Sequence, residues 1–325
     1  MTPTTRTSRP YAWLPALLSV LLVAAVVWSS LAGVVKIAPA DLLSSDIFVN
    51  LRLPRIVTAI LVGAALSVSG AAYQSVFRNP LTDPYVLGVS SGASLGAAVA
   101  IVAGLENSTW GIGAAALLSA LATVWLIYRV AAIGNRLHTS TLLLTGVCLT
   151  LLLSAVVTFL MVLHQDKMER IGFWTMGSFS SSSWFDVALL LPVVLAGSFV
   201  VIYLAKDLNL LLAGSETARS LGVEVERVKR LLLLATTLMV AFAVSSCGVI
   251  GFVGLIVPHC MRLVCGPDNR RVVPCSLIGG ALFMLLCDTA SRTLLQPAEL
   301  PVGSITAIVG APLFIYLLYR NKKSY

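Results

Sequence analysis

Ten times along this chain the sequence runs apolar for about the distance a helix needs to cross a bilayer, roughly 20 residues. The runs cover about 13–34, 56–76, 86–104, 110–129, 141–163, 184–205, 231–250, 252–265, 273–296 and 302–319. The eighth is too short to cross alone as a straight helix, and a short amphipathic piece at 171–179 follows the fifth. Hydrocarbon offers no partner for peptide groups, so only helices and closed barrels span it. Barrel strands would alternate polar and apolar residues, and these runs do not. Charged residues make up 11% of the chain against about 25% in a soluble domain. The expectation is an all-α integral membrane protein of about ten transmembrane helices, with residues 1–325 forming a single transmembrane domain. Met1 to Pro10 resembles the start of a signal peptide. The apolar run from Trp13 to about Gly33 exceeds a signal peptide's core, so it reads as the first span.

Ten spans put both termini on one side, and the basic residues say which. With the termini inside, Lys36, Arg52, Arg55, Lys167, Arg170 and Arg292 fall outside, and the rest of the 22 Lys and Arg fall inside. The positive-inside rule then places both termini in the cytoplasm. The net charge of +8 reports this asymmetry and gives no reason to expect nucleic acid.

Residues 206–230, KDLNLLLAGSETARSLGVEVERVKR, break with their surroundings and lie on the inner side. Gly214-Ser215 offers an N-cap before Glu216, whose charge suits a helix N-terminus. Gly222 supplies the stop. A helix of two turns cannot hold itself together in water, so it must lie against something; a solvated loop is the plainer reading.

Two stretches interrupt the helical pattern. One is Phe77-Arg78-Asn79-Pro80-Leu81-Thr82-Asp83-Pro84, and the other is Val257-Pro258-His259. Irregular backbone at membrane depth needs protein or an aqueous cavity around it. Interruptions at comparable places in two halves point to an inverted-repeat transporter. Spans 2–5 and 7–10, entering from opposite sides, would be the two halves.

No catalytic constellation is present: there is no GxxxxGK[ST], HExxH or GxSxG. His138, His164 and His259 lie near different loops and do not form one site. The six cysteines, Cys148, Cys247, Cys260, Cys265, Cys275 and Cys287, contain no CxxC pair and read as small buried hydrophobes. No metal site is expected, and the chain should hydrolyse no nucleotide. Asp288 lies inside an apolar run and should face protein. A secondary transporter would need more such carboxylates, and a passive channel would not need the 214–222 helix. Trp174, Met176 and Gly177 could line an outer mouth or mark the lipid interface. On the outer side, Pro54 reads as fixing a turn between Arg52 and Arg55. Together with Arg292 these arginines could dock carboxylates of an outside partner. Alternatively they snorkel, or Arg292 pairs with Asp288 along one helix face.

Several blocks together resemble the FecCD-type permeases, membrane subunits of type II ABC importers for iron–siderophore complexes, haem and vitamin B12. They are Arg52-Leu53-Pro54-Arg55, Val62-Gly63-Ala64-Ala65-Leu66, Asn79-Pro80-Leu81 and Leu87-Gly88-Val89. Further on come Gly251-Phe252-Val253-Gly254-Leu255, Pro258-His259 with Arg262, Glu299-Leu300-Pro301-Val302-Gly303 and Gly310-Ala311-Pro312. The match spans about residues 13–320.

The resemblance implies two permease copies or homologues around a central path, two cytoplasmic ABC ATPase subunits holding ATP and Mg, and a periplasmic or lipid-anchored binding protein. It implies no cofactor on this chain, and a place in the bacterial inner membrane. By the same resemblance, Ser215, Glu216, Thr217, Ala218, Arg219, Leu221 and Gly222 belong to a coupling helix that docks on the ATPase. Arg52, Arg55 and Arg292 match arginines that meet acidic residues of the binding protein in the family's vitamin B12 importer. Asn79, Leu81, Thr139 and Ser140 match positions near a cytoplasmic gate. The cargo expected from the family is an iron–siderophore complex or haem, with vitamin B12 as the alternative.

Overall fold

The computed structural model describes residues 13–33, 41, 44–105, 111–133, 136–137 and 139–321. Arg6, Arg9, Lys36, Lys322 and Lys323, on which part of the orientation argument rests, lie outside these residues, as does His138. The helices in chain order are α1 (Trp13–Leu31), α2 (Leu53–Val76), α3 (Val89–Val102), α4 (Gly111–Ala131), α5 (Thr139–Leu163), α6 (Met168–Met176), α7 (Trp184–Tyr203), α8 (Ala205–Leu212), α9 (Ser215–Ser220), α10 (Val225–Cys247), α11 (Val253–Cys265), α12 (Asn269–Thr293) and α13 (Val302–Asn321). A two-residue antiparallel ladder, Ala132–Ile133 with Arg136–Leu137, closes the turn between α4 and α5. Among the described residues, seven helices are long and apolar enough to cross a membrane, and α3, α11 and α13 contribute three shorter apolar ones. This is a multi-pass membrane protein with the expected ten apolar segments.

The centre of the bundle is α2, which is buried along nearly its whole length and packs against α12, α11, α7 and α10. Glycines make that possible. A Cβ on Gly63 would run into the backbone of Gly280 on α12, and one on Gly70 into the backbone of Gly254 on α11. Between apolar helices in lipid, such close backbone approach supplies the packing attraction that water supplies elsewhere. At the other extreme, α5 turns most of its length outward, with Leu144, Leu151 and Phe159 exposed on the single chain. Cys148 shares that face and is exposed, unlike the buried Cys247, Cys265, Cys275 and Cys287. It departs from the expectation of buried cysteines because α5 has few neighbours within the chain.

Two elements differ from the sequence reading. Arg52-Leu53-Pro54-Arg55 is not a turn. A π-helical turn over Phe48–Arg52 runs straight into α2, with Pro54 in the first turn of that helix. Pro54 has no N–H to continue that π-helical register, and Val49 O, five residues before it, accepts instead from Trp184 Nε1 (3.0 Å).

The second interruption is also displaced. Helix α11 continues through Val257-Pro258-His259, and the chain breaks earlier, between Cys247 and Val253. Pro258 removes the donor to the Gly254 carbonyl, four residues back, yet the helix survives. Gln74 of α2 reaches across and donates Nε2–H to Gly254 O (3.4 Å) and Leu255 O (3.1 Å). A neighbouring helix thus satisfies the backbone that the proline leaves open.

The two real breaks meet. After α2 the chain passes through a 3-10 turn at Pro84–Leu87, and Pro84 packs where a Cβ on Gly254 would stand. Tyr85 Oη donates to Ile250 O (3.0 Å) and accepts from Ile250 N–H (3.2 Å). One phenol therefore satisfies both peptide groups of a residue in the second break. The order of a long helix, a break, a short helix and two longer helices holds for α2–α5 and again for α10–α13.

Candidate functional site

The 206–230 stretch holds two short helices, α8 and α9, followed by the first turns of α10. The cap of α9 is Gly214 itself, at φ 117°, and Ser215 is the first helical residue with no side-chain cap bond. The stop is as read from the sequence. Gly222 takes φ 87°, its N–H donates to Arg219 O (3.0 Å), and Val223 N–H donates to Ala218 O (3.0 Å). That pair of bonds is the Schellman arrangement, and it satisfies carbonyls that a helix end leaves open.

What α9 lies against is its own chain. Ala218, Val223 and Val225 are buried in the main apolar core. The opposite face is free: Glu216, Thr217, Arg219, Ser220 and Leu221 are exposed, Leu221 at 61%. Arg219 Nη1 pairs with Glu216 Oε1 at 2.9 Å, one turn apart on the surface. So Ala218 anchors the helix to the bundle, while Glu216, Thr217, Arg219 and Leu221 form an outward surface. Beside it a cleft of about 650 Å³ is lined by Arg219, Glu224, Arg227 and Arg230 among others.

Near the same end, α2 stops on Arg78 at φ 50°, with Asn79 N–H donating to Gln74 O (3.1 Å). Asn79 Oδ1 accepts from Leu81 N–H (2.9 Å), which shapes the exposed turn that carries Leu81. Thr139 and Ser140 open α5 and are only partly covered. Among the described residues no hydrogen bond joins the 79–81 turn to Thr139 or Ser140.

At the far end the three arginines do come together, but they turn inward. Arg52 and Arg55 are each 8% exposed and Arg292 5%. Arg55 Nε donates to Asp288 Oδ1 (2.9 Å), and its Nη1 donates to both Glu299 oxygens (3.0 and 2.9 Å). Arg292 Nε lies 3.5 Å from Asp288 Oδ2, one turn along α12. Its other nitrogens donate to Ala32 O (3.1 Å), Ser29 O (2.8 Å) and Ser29 Oγ. Arg52 Nη1 donates to Ser30 O (3.0 Å). Ser29, Ser30 and Ala32 mark the end of α1, whose last carbonyls lack intrahelical donors and carry partial negative charge. Two arginines therefore cap α1, and the third ties α2 to α12 and to the 294–301 loop. The pairing of Arg292 with Asp288 along one helix face is realised, and Asp288 faces protein with no exposure. Only Glu299 keeps a partly exposed carboxylate, its side chain 40% accessible. Arg55 Nη2 is buried with no hydrogen-bond partner among the described residues.

The sequence reading gave no role to four residues that organise these regions, though Glu299 stands within one of the blocks that carry the resemblance. Tyr85 and Gln74 support the broken helices. Glu299 completes the ion cluster, and Asn209 joins α8 to the start of α12 through Asp268 (2.6 Å). Only Tyr85 carried a usable signal, since it stands directly after the Asp83-Pro84 interruption. The others reveal themselves only through partners distant in sequence. Among the described residues there is no group of three or more His, Cys, Asp or Glu that could hold a metal ion.

The comparisons agree with this architecture. The profile of the FecCD transport family matches residues 17–320. The chain is 47% identical over 269 residues to the cobalamin import system permease protein BtuC of Halobacterium salinarum, covering 83% of this chain and 72% of that one. It is 37% identical over 282 residues to the hemin transport system permease protein HmuU of Yersinia pestis, covering 85% and 84% respectively. A solved structure of a metal-chelate type ABC transporter in an inward-facing conformation superposes with a TM-score of 0.86 at 35% identity, over 95% of this chain and 99% of that one. The chain belongs to the FecCD transport family and is a membrane-spanning permease subunit of an ABC importer, not an enzyme.

Proposed function

We propose that this permease carries a corrinoid of the cobalamin type, with an iron porphyrin such as haem as the second reading. Family membership alone would put iron–siderophore complexes and haem first. The observation that favours a corrinoid is the 47% identity to a cobalamin permease against 37% to a hemin permease. The test is uptake into proteoliposomes holding the permease, its ATPase and its binding protein. ATP-dependent accumulation of labelled cyanocobalamin, but not haemin, is expected; accumulation of haemin alone would reverse the order.

Import needs partners, because the chain offers no nucleotide-binding loop. ATP and Mg belong to two ABC ATPase subunits on the cytoplasmic side. The outward face of α9, with Glu216, Thr217, Arg219 and Leu221, docks on them, and Ser215, Ala218 and Gly222 fix its shape. The exposed apolar faces of α5 and α13, with Phe159, Ile308 and Ile315, suit a second copy across a central path. Asn79, Leu81, Thr139 and Ser140 act as a cytoplasmic gate that closes when the two copies swing together. Spans 2–5 and 7–10 form inverted halves, in keeping with the repeated element order. Both termini lie on the cytoplasmic side, following the basic asymmetry, and the membrane is the bacterial inner membrane that the family resemblance implies.

Docking of a periplasmic or lipid-anchored binding protein on Arg52, Arg55 and Arg292 must contend with their inward orientation. The half-exposed Glu299 provides the route: an incoming carboxylate reaches Arg55 by replacing it. Arg52 and Arg292 then act by holding α1 in place. Replacing Glu299 by Gln should strengthen docking in a salt-sensitive way; unchanged affinity at low and high salt counts against the exchange.

A further inference from the structure

We propose that Asn209 is the positioning residue that ties movement of the α8–α9 unit to the N-terminus of α12. The inference rests on the reading that α9 meets the ATPase, and it identifies how that contact reaches the spanning helices.

Asn209 uses both ends of its amide on one capping turn. Nδ2–H donates to Asp268 Oδ1 (2.6 Å), and Oδ1 accepts from Asn269 N–H (2.8 Å). Asp268 is itself the cap of α12, accepting from Arg270 N–H (3.0 Å). The first N–H groups of a helix have no partner inside it. Here one of them is satisfied by a side chain from another helix.

The chain of contacts continues inward. Asn269 is fully buried, and its Oδ1 lies 3.2 Å from Ser75 Oγ on α2. Ser75 Oγ accepts from Arg262 Nη2 (3.0 Å) on α11, and the same nitrogen donates to Ala71 O (3.1 Å). One side chain of α8 is thereby connected to α12, α2 and α11. Leu208 and Leu211 also pack α8 onto the core, but apolar contact is non-directional and allows sliding. The two bonds of Asn209 fix the register.

Asp268 reports the same contact electrostatically. Burial alone would push its carboxyl up. The hydrogen bond from Asn209, the Arg270 N–H and the charges of Arg270 and Arg271 outweigh burial and bring it below its ordinary value.

The test is hydrogen–deuterium exchange on the assembled transporter, without nucleotide and with ATP and vanadate. In the wild type, nucleotide should alter exchange at 215–221 and at 269–272 together. Asn209→Ala should speed exchange at 269–272 roughly tenfold. It should also abolish the nucleotide effect there while preserving it at 215–221. A residue that merely stabilised α12 would not separate the two responses.

Asn209→Asp keeps an acceptor for Asn269 N–H but sets its carboxylate against Asp268 Oδ1, which also caps Arg270 N–H, so it too should lose the coupled response. This variant carries the test if Asn209→Ala fails to assemble. A nucleotide response at 269–272 that persists in Asn209→Ala, or in Asn209→Asp, overturns the proposal. A wild type silent at 215–221 overturns instead the reading of α9 on which it rests.

Discussion

Asp288 is the residue whose loss the ion cluster should tolerate least. It is fully buried, with Arg55 at 2.9 Å on one oxygen and Arg292 at 3.5 Å on the other. Replacing it by Asn preserves shape and removes the charge. Arg55 keeps Glu299, but Arg292 keeps only the hydroxyl and carbonyls at the end of α1. Leaving a buried charge without its partner costs about 3–5 kcal/mol. The partial compensation at Arg55 argues for the lower part of that range. The assay is unfolding of the purified permease in mixed micelles, comparing wild type, Asp288→Asn, Arg292→Leu and the double variant. The double variant should recover much of the loss, because removing both partners of a buried pair is far milder than removing one. If Asp288→Asn stays within about 0.5 kcal/mol of wild type, the range of ordinary surface substitutions, the cluster does not hold these helices together.

Gly70→Ala drives a methyl into the Gly254 backbone and should destabilise the α2–α11 contact by about 1–3 kcal/mol or more; an unchanged melting temperature would contradict the packing described. Tyr85→Phe leaves the Ile250 N–H and carbonyl without their partner, at about 1–3 kcal/mol. The loss should appear as faster exchange confined to 248–252, and unaltered exchange there would remove Tyr85 from that role. Asp268 sits below its ordinary value in the folded chain, so its contribution is fully present above the usual carboxylate range of about 4 and is lost as pH falls through the lower folded value. Asp268→Asn should therefore lessen the decline of stability on acidification; an identical acid profile would exclude that contribution.

Apolar run lengths carried the overall architecture, because hydrocarbon admits so few backbone solutions. Residue chemistry placed Asp288 against protein and the stop of α9 at Gly222, both local consequences. What the sequence concealed was long-range compensation. Pro258 reads as a break until Gln74 of a different helix is seen serving Gly254 and Leu255. The pairing of Arg292 with Asp288 is one reading open in the sequence, but nothing local shows that the end of α1 and the 294–301 loop close over Arg52, Arg55 and Arg292. Ala218 falls within the α9 motif, but only packing shows that it faces the bundle rather than a partner. In each case the deciding group is distant in sequence, and no local pattern announces it.

The account stands on α9 transmitting the ATPase cycle to this passage. A photo-reactive side chain placed at Leu221, exposed on the single chain, should cross-link to an ATPase subunit in the assembled complex, in an amount that changes with ATP. If that position forms no such cross-link and stays as open to aqueous labelling in the complex as in the isolated permease, α9 is not the point of coupling.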